Sequence, residues 1–218
     1  MNASDPHRGQ PVIVGGESLG TARAAMVLVH GRGATAESIL ALADEFQVPH
    51  VAYRAPQATG NTWYPLPFLA PPEQNEPWLS SALATLERVV AHVETAGIPL
   101  ERTILLGFSQ GACLTLEYVA RHAWHYGGVI GLSGGLIGPD GTPRDYSGSL
   151  SGTPIFLGCG DPDPHIPAGR VHESADVLGR LGGEVTMRLY PGLGHTVNQD
   201  EIDFVRNLLV RLTAPSDA

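Results

Sequence analysis

The 218-residue chain is 43% hydrophobic with a formal charge of −9, a size and balance that fit a soluble α/β core rather than a disordered chain. With 22 acidic against 13 basic side chains and no basic stripe, it offers nothing to neutralise nucleic-acid phosphates or to hold an anionic membrane surface. Its apolar runs fall short of the about 20 residues that span a bilayer, and Met1–Gln10 has no basic-then-apolar leader pattern, so a cytoplasmic protein is expected.

Val12-Ile13-Val14 and Ala24 to Val29 are short apolar runs separated by Gly15-Gly16 and Gly20, which predicts an edge hairpin feeding a buried strand. The second run ends in His30-Gly31-Arg32-Gly33, and Thr35 to Phe46 then follows a helical period through Ile39, Leu42, Ala43 and Phe46. His50 to Pro56 reads as the next strand. From Gln57 to Pro77 five prolines exclude a regular element, yet the segment holds Trp63, Tyr64, Leu66, Phe68 and Leu69. Trp78 to Thr95 is an amphipathic helix stopped by Gly97 and Pro99.

Arg102 to Phe108 predicts a strand and Gln110 to His122 a helix, with Gly107-Phe108-Ser109-Gln110-Gly111 between them. G-x-S-x-G between strand and helix is the pattern of a nucleophile elbow. A strand follows at 127–133, then a Gly-, Pro- and Ser-rich loop over 134–153 that is too short for a cap domain. Pro154–Gly158, Ala168–Leu181, Val185–Tyr190 and Gln199–Leu212 read as strand, helix, strand near a sheet edge, and helix. Strands alternating with helices predict one α/β domain over 1–218, a mostly parallel sheet with helices on both faces. Residues 1–10 and 213–218 are expected to fray.

In such a sheet, chemistry gathers at the carboxyl ends of the strands. There lie Gly31-Arg32-Gly33, Ser109, the loop Gly160-Asp161-Pro162-Asp163-Pro164-His165, and Gly194-His195. A serine, an acid and a histidine thus follow one another in the order of an α/β-hydrolase. Ser109 would attack a carbonyl while His195 takes its proton, and a carboxylate would hold the imidazole. The backbone N–H groups of Arg32 and Gln110 would receive the oxyanion. Spacing does not choose between Asp161 and Asp163. His30 is expected to anchor the oxyanion loop through a hydrogen bond.

Val29-His30-Gly31-Arg32-Gly33, Gly107-Phe108-Ser109-Gln110-Gly111, Asp163-Pro164-His165-Ile166-Pro167 and Gly194-His195 together resemble the phospholipase/carboxylesterase family, which includes small carboxylesterases and acyl-protein thioesterases. The likeness runs from about residue 24 to 212. It implies an α/β-hydrolase fold without a large cap, Ser109, Asp163 and His195 as the triad, Arg32 and Gln110 as oxyanion donors, and hydrolysis of small to medium esters without a cofactor. The acid falls on Asp163 because that residue begins the family's D-P-x-[IV]-P pattern.

Two departures stand out: Arg32 occupies a place where many thioesterase-like members have leucine, so a charge is expected to edge the site, and the 57–77 segment differs from the thioesterase loop. Trp63, Tyr64, Leu66 and Phe68, with Leu69, are expected to wall the substrate pocket or else to pack as a satellite cluster. Thioesterase or lysophospholipase activity on the same triad is the alternative, and a catalytically silent binding protein a further one. No H-E-x-x-H or cysteine spacing suggests a metal. A monomer or homodimer acting on a small-molecule ester is expected.

Overall fold

Ala24–Val29 is buried along its whole length, with Met26 and Leu28 in one apolar cluster and Val27 and Val29 in another. A strand covered on both faces needs an unbroken apolar run, and helical crossovers between parallel strands supply the cover. The computed structural model describes residues 5–215.

Its strands are β1 (Val12–Gly16), β2 (Ala24–Val29), β3 (Val51–Pro56), β4 (Thr103–Phe108), β5 (Gly128–Leu132), β6 (Pro154–Asp161) and β7 (Glu184–Pro191). They form one sheet in the order β1-β3-β2-β4-β5-β6-β7, parallel except for β1 against β3. The helices are α1 (Ala36–Leu40), α2 (Leu42–Phe46), α3 (Trp78–Thr95), α4 (Gln110–Arg121), α5 (Ala168–Arg180) and α6 (Gln199–Thr213).

Leu79, Leu83 and Leu86 of α3, Leu114 and Leu116 of α4, and Val171 and Leu178 of α5 close one face of the sheet. Ile39 of α1, Phe46 of α2, and Ile202, Val205 and Leu209 of α6 close the other. The segments 57–77 and 134–153 hold turns and short 3₁₀ pieces, and neither builds a cap domain.

Three sequence expectations need correction. β1 is an edge strand, but it pairs with β3 and not with β2, so 12–29 is no hairpin. The 35–46 helix is two helices broken at Ala41; the break turns Phe46 into the core, where Arg206 of α6 caps the Glu45 and Phe46 carbonyls.

Nor do residues 5–10 fray. His7 is 1% exposed, accepts from Thr59 N–H at 3.1 Å and donates Nε2–H to the Trp63 carbonyl at 2.8 Å. Polar contacts to a distant loop fix this segment, so hydropathy gave no sign of it. Thr213 closes α6 with its hydroxyl on the Leu209 carbonyl. The remaining end residues, 1–4 and 216–218, lie outside the described residues.

Candidate active site

β4 ends in the centre of the sheet, and the chain must reverse within one residue to start α4. Ser109 makes that reversal at φ 55, ψ −121, a left-handed backbone that a serine holds only when its surroundings impose it. The two glycines of the motif have a steric reason. A Cβ on Gly107 would overlap the Gly111 carbonyl, and one on Gly111 would overlap the Val29 and His30 carbonyls, so β2, β4 and α4 meet backbone to backbone. Ser109 N–H donates to the Leu132 carbonyl at 2.9 Å, which ties the turn to β5.

His195, after β7, brings Nε2 to 2.8 Å from the Ser109 oxygen. Its Nδ1–H donates to Asp163 Oδ2 at 2.7 Å, an arrangement that leaves Nε2 as the acceptor for the serine hydroxyl. The Asp163 side chain is fully buried, and that of His195 is 18% exposed. The geometry picks Asp163 over Asp161, which is exposed and whose carbonyl accepts from Gly192 N–H at 2.8 Å.

Asp163 is held on every side. Its Oδ1 accepts the backbone N–H groups of His165 at 2.8 Å and Ile166 at 3.1 Å, and the Cys159 thiol lies 3.7 Å from Oδ2. Burial pushes its carboxyl upward, but the hydrogen bonds from His195, His165 and Ile166 outweigh that and leave it below the usual carboxylate value. It is therefore an anion facing an imidazole. The Phe108 ring lies 5.0 Å from the His195 ring and the His165 ring 4.8 Å from it, edge on.

Gly31, Arg32, Ser109 and Gln110 all line a cavity of about 620 Å³ that opens at this point. The His30 ring sits beneath the loop: Ala58 N–H donates to Nε2 at 3.1 Å, and Nδ1–H donates to the Gly31 carbonyl at 2.8 Å. Burial pulls the pKa of His30 down, in keeping with a neutral ring.

The side chains of Arg32 and Gln110 have a part that the sequence did not reveal. The Arg32 guanidinium donates to the carbonyls of Tyr64, Pro65 and Leu66 at 2.9 Å each and to the Thr62 hydroxyl at 3.1 Å. Its charge thus binds the neighbouring loop rather than standing free at the cavity edge. Gln110 donates Nε2–H to the same Tyr64 carbonyl at 2.8 Å and accepts Trp63 N–H at 2.9 Å. Both residues are anchored to one short strap, Thr62–Leu66.

The apolar residues of 57–77 separate into two groups. Tyr64, Phe68 and Leu69 line the cavity, together with Pro65 and Pro67. Trp63 does not: it is fully buried, and its indole N–H donates to the His30 carbonyl at 2.8 Å. Leu66 lies at the surface, 36% exposed, with its N–H on the Asn75 side chain. Proline content had marked this segment as irregular but carried no information on which aromatic faced inward. The Cys113 thiol reaches the cavity wall, where burial pushes it up to about 12 and keeps it protonated.

Among the described residues no group of three or more His, Cys, Asp or Glu side chains is arranged to hold a metal ion. No helix among them is long and apolar enough to cross a membrane.

A model of the phospholipase/carboxylesterase family matches residues 10–212. Acyl-protein thioesterase 1 of Gibberella zeae is 33% identical over 127 residues, which cover 56% of this chain and 53% of that protein. The match to the first curated relatives therefore spans about half of their length. Acyl-protein thioesterase 1 of Yarrowia lipolytica is 26% identical over 205 residues, covering 85% of this chain and 90% of that one. The crystal structure of a phospholipase/carboxylesterase from Dyadobacter fermentans superposes with a TM-score of 0.89 at 46% identity, covering 93% of this chain and 97% of the other.

Proposed function

The chain belongs to the phospholipase/carboxylesterase family of α/β-hydrolases, and from that premise we propose that it hydrolyses small to medium carboxylic esters through an acyl-enzyme on Ser109. The observation that carries this reading is the chain of hydrogen bonds from Ser109 through His195 to Asp163, opening on a largely apolar cavity. His195 takes the serine proton as Oγ attacks the ester carbonyl, and Asp163 stabilises the imidazolium that forms. The N–H groups of Arg32 and Gln110 receive the oxyanion, an interaction whose loss costs about 10²–10³ in rate where it has been measured. The tetrahedral intermediate collapses, the leaving alkoxide takes the proton from His195, and water repeats the sequence on the acyl-serine.

Tyr64, Phe68 and Leu69 form the apolar wall for the substrate, so uncharged acyl groups are favoured. A thioester substrate is the second reading, favoured by the names of the fungal relatives. One domain over residues 1–218, acting in the cytoplasm as a monomer or homodimer, completes the proposal; its supports are the single sheet and an acidic balance that favours solubility.

The test is turnover of p-nitrophenyl butyrate against butyryl and palmitoyl thioesters by the wild type and Ser109→Ala. Ester turnover abolished in the variant supports the reading. A folded wild type that cleaves neither class sinks it, and a thioester preference moves it to the second reading.

A further inference from the structure

Arg54 and Arg170 are both buried, and they are satisfied in opposite ways. Arg170 meets Asp140 and Glu173 at 2.8 Å each and donates to the carbonyls of Leu136 and Gly138. Arg54 is 7% exposed and donates to the Tyr53 carbonyl at 2.7 Å, with no carboxylate in ion-pair range among the described residues. A guanidinium has five N–H donors, and shielding it without a counter-charge is unfavourable. Burial accordingly lowers its pKa.

Arg54 lies on the wall of a second cavity, of about 350 Å³, between β1, β3, α3 and the 7–10 segment. Arg88 and His92, one turn apart on α3, share that wall with it, and no carboxylate does among the described residues. Arg88 has Asp5 at a long 3.7 Å, while the other oxygen of Asp5 accepts from the Ser81 hydroxyl. His7 adds no charge, because both its ring nitrogens are engaged by Thr59 and Trp63. Val12, Val14 and Val89 give the cavity an apolar side. In a chain of net charge −9, two guanidinium groups and an imidazole line a space that no acid lines among the described residues.

We propose that this cavity binds the oxyanion group of a small molecule, a phosphate monoester or a carboxylate, with a short apolar substituent against the valines. The planar fork of Arg54 matches two oxygens of either group, and Arg88 closes on it from the helix. The site shares no lining residue with the cavity at Ser109, so it does not depend on the proposed hydrolysis.

Isothermal titration with inorganic phosphate, phenyl phosphate and benzoate tests it, on the wild type, on Arg54→Gln and Arg88→Gln, and on wild type blocked at Ser109 with a fluorophosphonate. One site is expected for phenyl phosphate or benzoate, tighter than for inorganic phosphate and weakened by salt; the stronger of the two identifies the headgroup. Arg54→Gln should weaken it by about tenfold or more, Arg88→Gln by about threefold or more, and Ser109 blocking should leave it unchanged. No heat up to about 10 mM ligand, equal binding by the variants, or loss of binding on blocking Ser109 would overturn the proposal. Should Arg54→Gln fail to fold, Arg88→Gln, at a partly exposed position, decides the question by the same measurement.

Discussion

The Tyr64 carbonyl accepts from Arg32 Nη2 at 2.9 Å and from Gln110 Nε2 at 2.8 Å. The two residues proposed to supply the oxyanion donors come from different strands' ends, yet their side chains converge on one acceptor. The Thr62–Leu66 strap therefore ties the two residues to each other through their side chains.

Arg32→Leu keeps its own N–H but releases the strap. We expect kcat for p-nitrophenyl butyrate to fall by about tenfold to a hundredfold with KM within about threefold, because a displaced donor weakens the transition state more than the substrate. Arg32→Lys should fall between, since an ammonium cannot span three carbonyls. Steady-state kinetics read the split; a KM effect alone would assign Arg32 to substrate binding instead.

Asp163→Asn should lower kcat by about 10⁴-fold, because the amide favours the wrong imidazole tautomer. Asp161→Asn should stay within about twofold, as for an exposed side chain away from the chemistry. Side-by-side rates on one substrate check both, with circular dichroism to confirm that each variant folds.

Phe68 and Trp63 should behave differently although both belong to the same proline-rich segment. Phe68→Ala removes part of the cavity wall, so its loss in kcat/KM should grow with acyl length from acetate to hexanoate. Trp63→Phe removes the indole bond to the His30 carbonyl and should lower the rate by a similar factor for every ester. A chain-length series on both variants gives the answer; a length-dependent loss in Trp63→Phe would return Trp63 to the pocket.

Glu201 gives a pH dependence of stability. It is 1% exposed and accepts Asn198 N–H at 2.8 Å through one oxygen, while the other has no partner among the described residues. Burial pushes its carboxyl up to about 7, against the pull of that hydrogen bond. From about pH 4.3, the unfolded value, to the folded value, the native chain holds a proton that the unfolded chain has lost. The buried carboxyl therefore weakens the fold as pH rises through that window, by roughly 4 kcal/mol, with no further change above it. Denaturant titrations at pH 5 and pH 8 should show a smaller difference for Glu201→Gln than for the wild type. An unchanged difference would contradict the assignment.

Much of this was legible from local pattern. β2, β4 and α3 were readable because apolar runs and helical period report burial directly, and the site loops followed from the rule that chemistry sits at strand ends. Choosing Asp163 over Asp161 from residues alone was not possible, since both carboxylates stand in one loop and only the fold turns one inward. The pairing of β1 with β3, the burial of His7 and the grip of Arg32 on Thr62–Leu66 all depend on partners at least 30 residues away. Such contacts leave no periodic trace in sequence.

Ser109 is proposed to carry the acyl group, and mass spectrometry of fluorophosphonate-treated protein tests this most directly. One adduct per chain, mapped to the peptide containing Ser109 and rising in step with the loss of ester turnover, is the expected result. Full modification of Ser109 with turnover intact, or inactivation with the adduct on another residue, would contradict it.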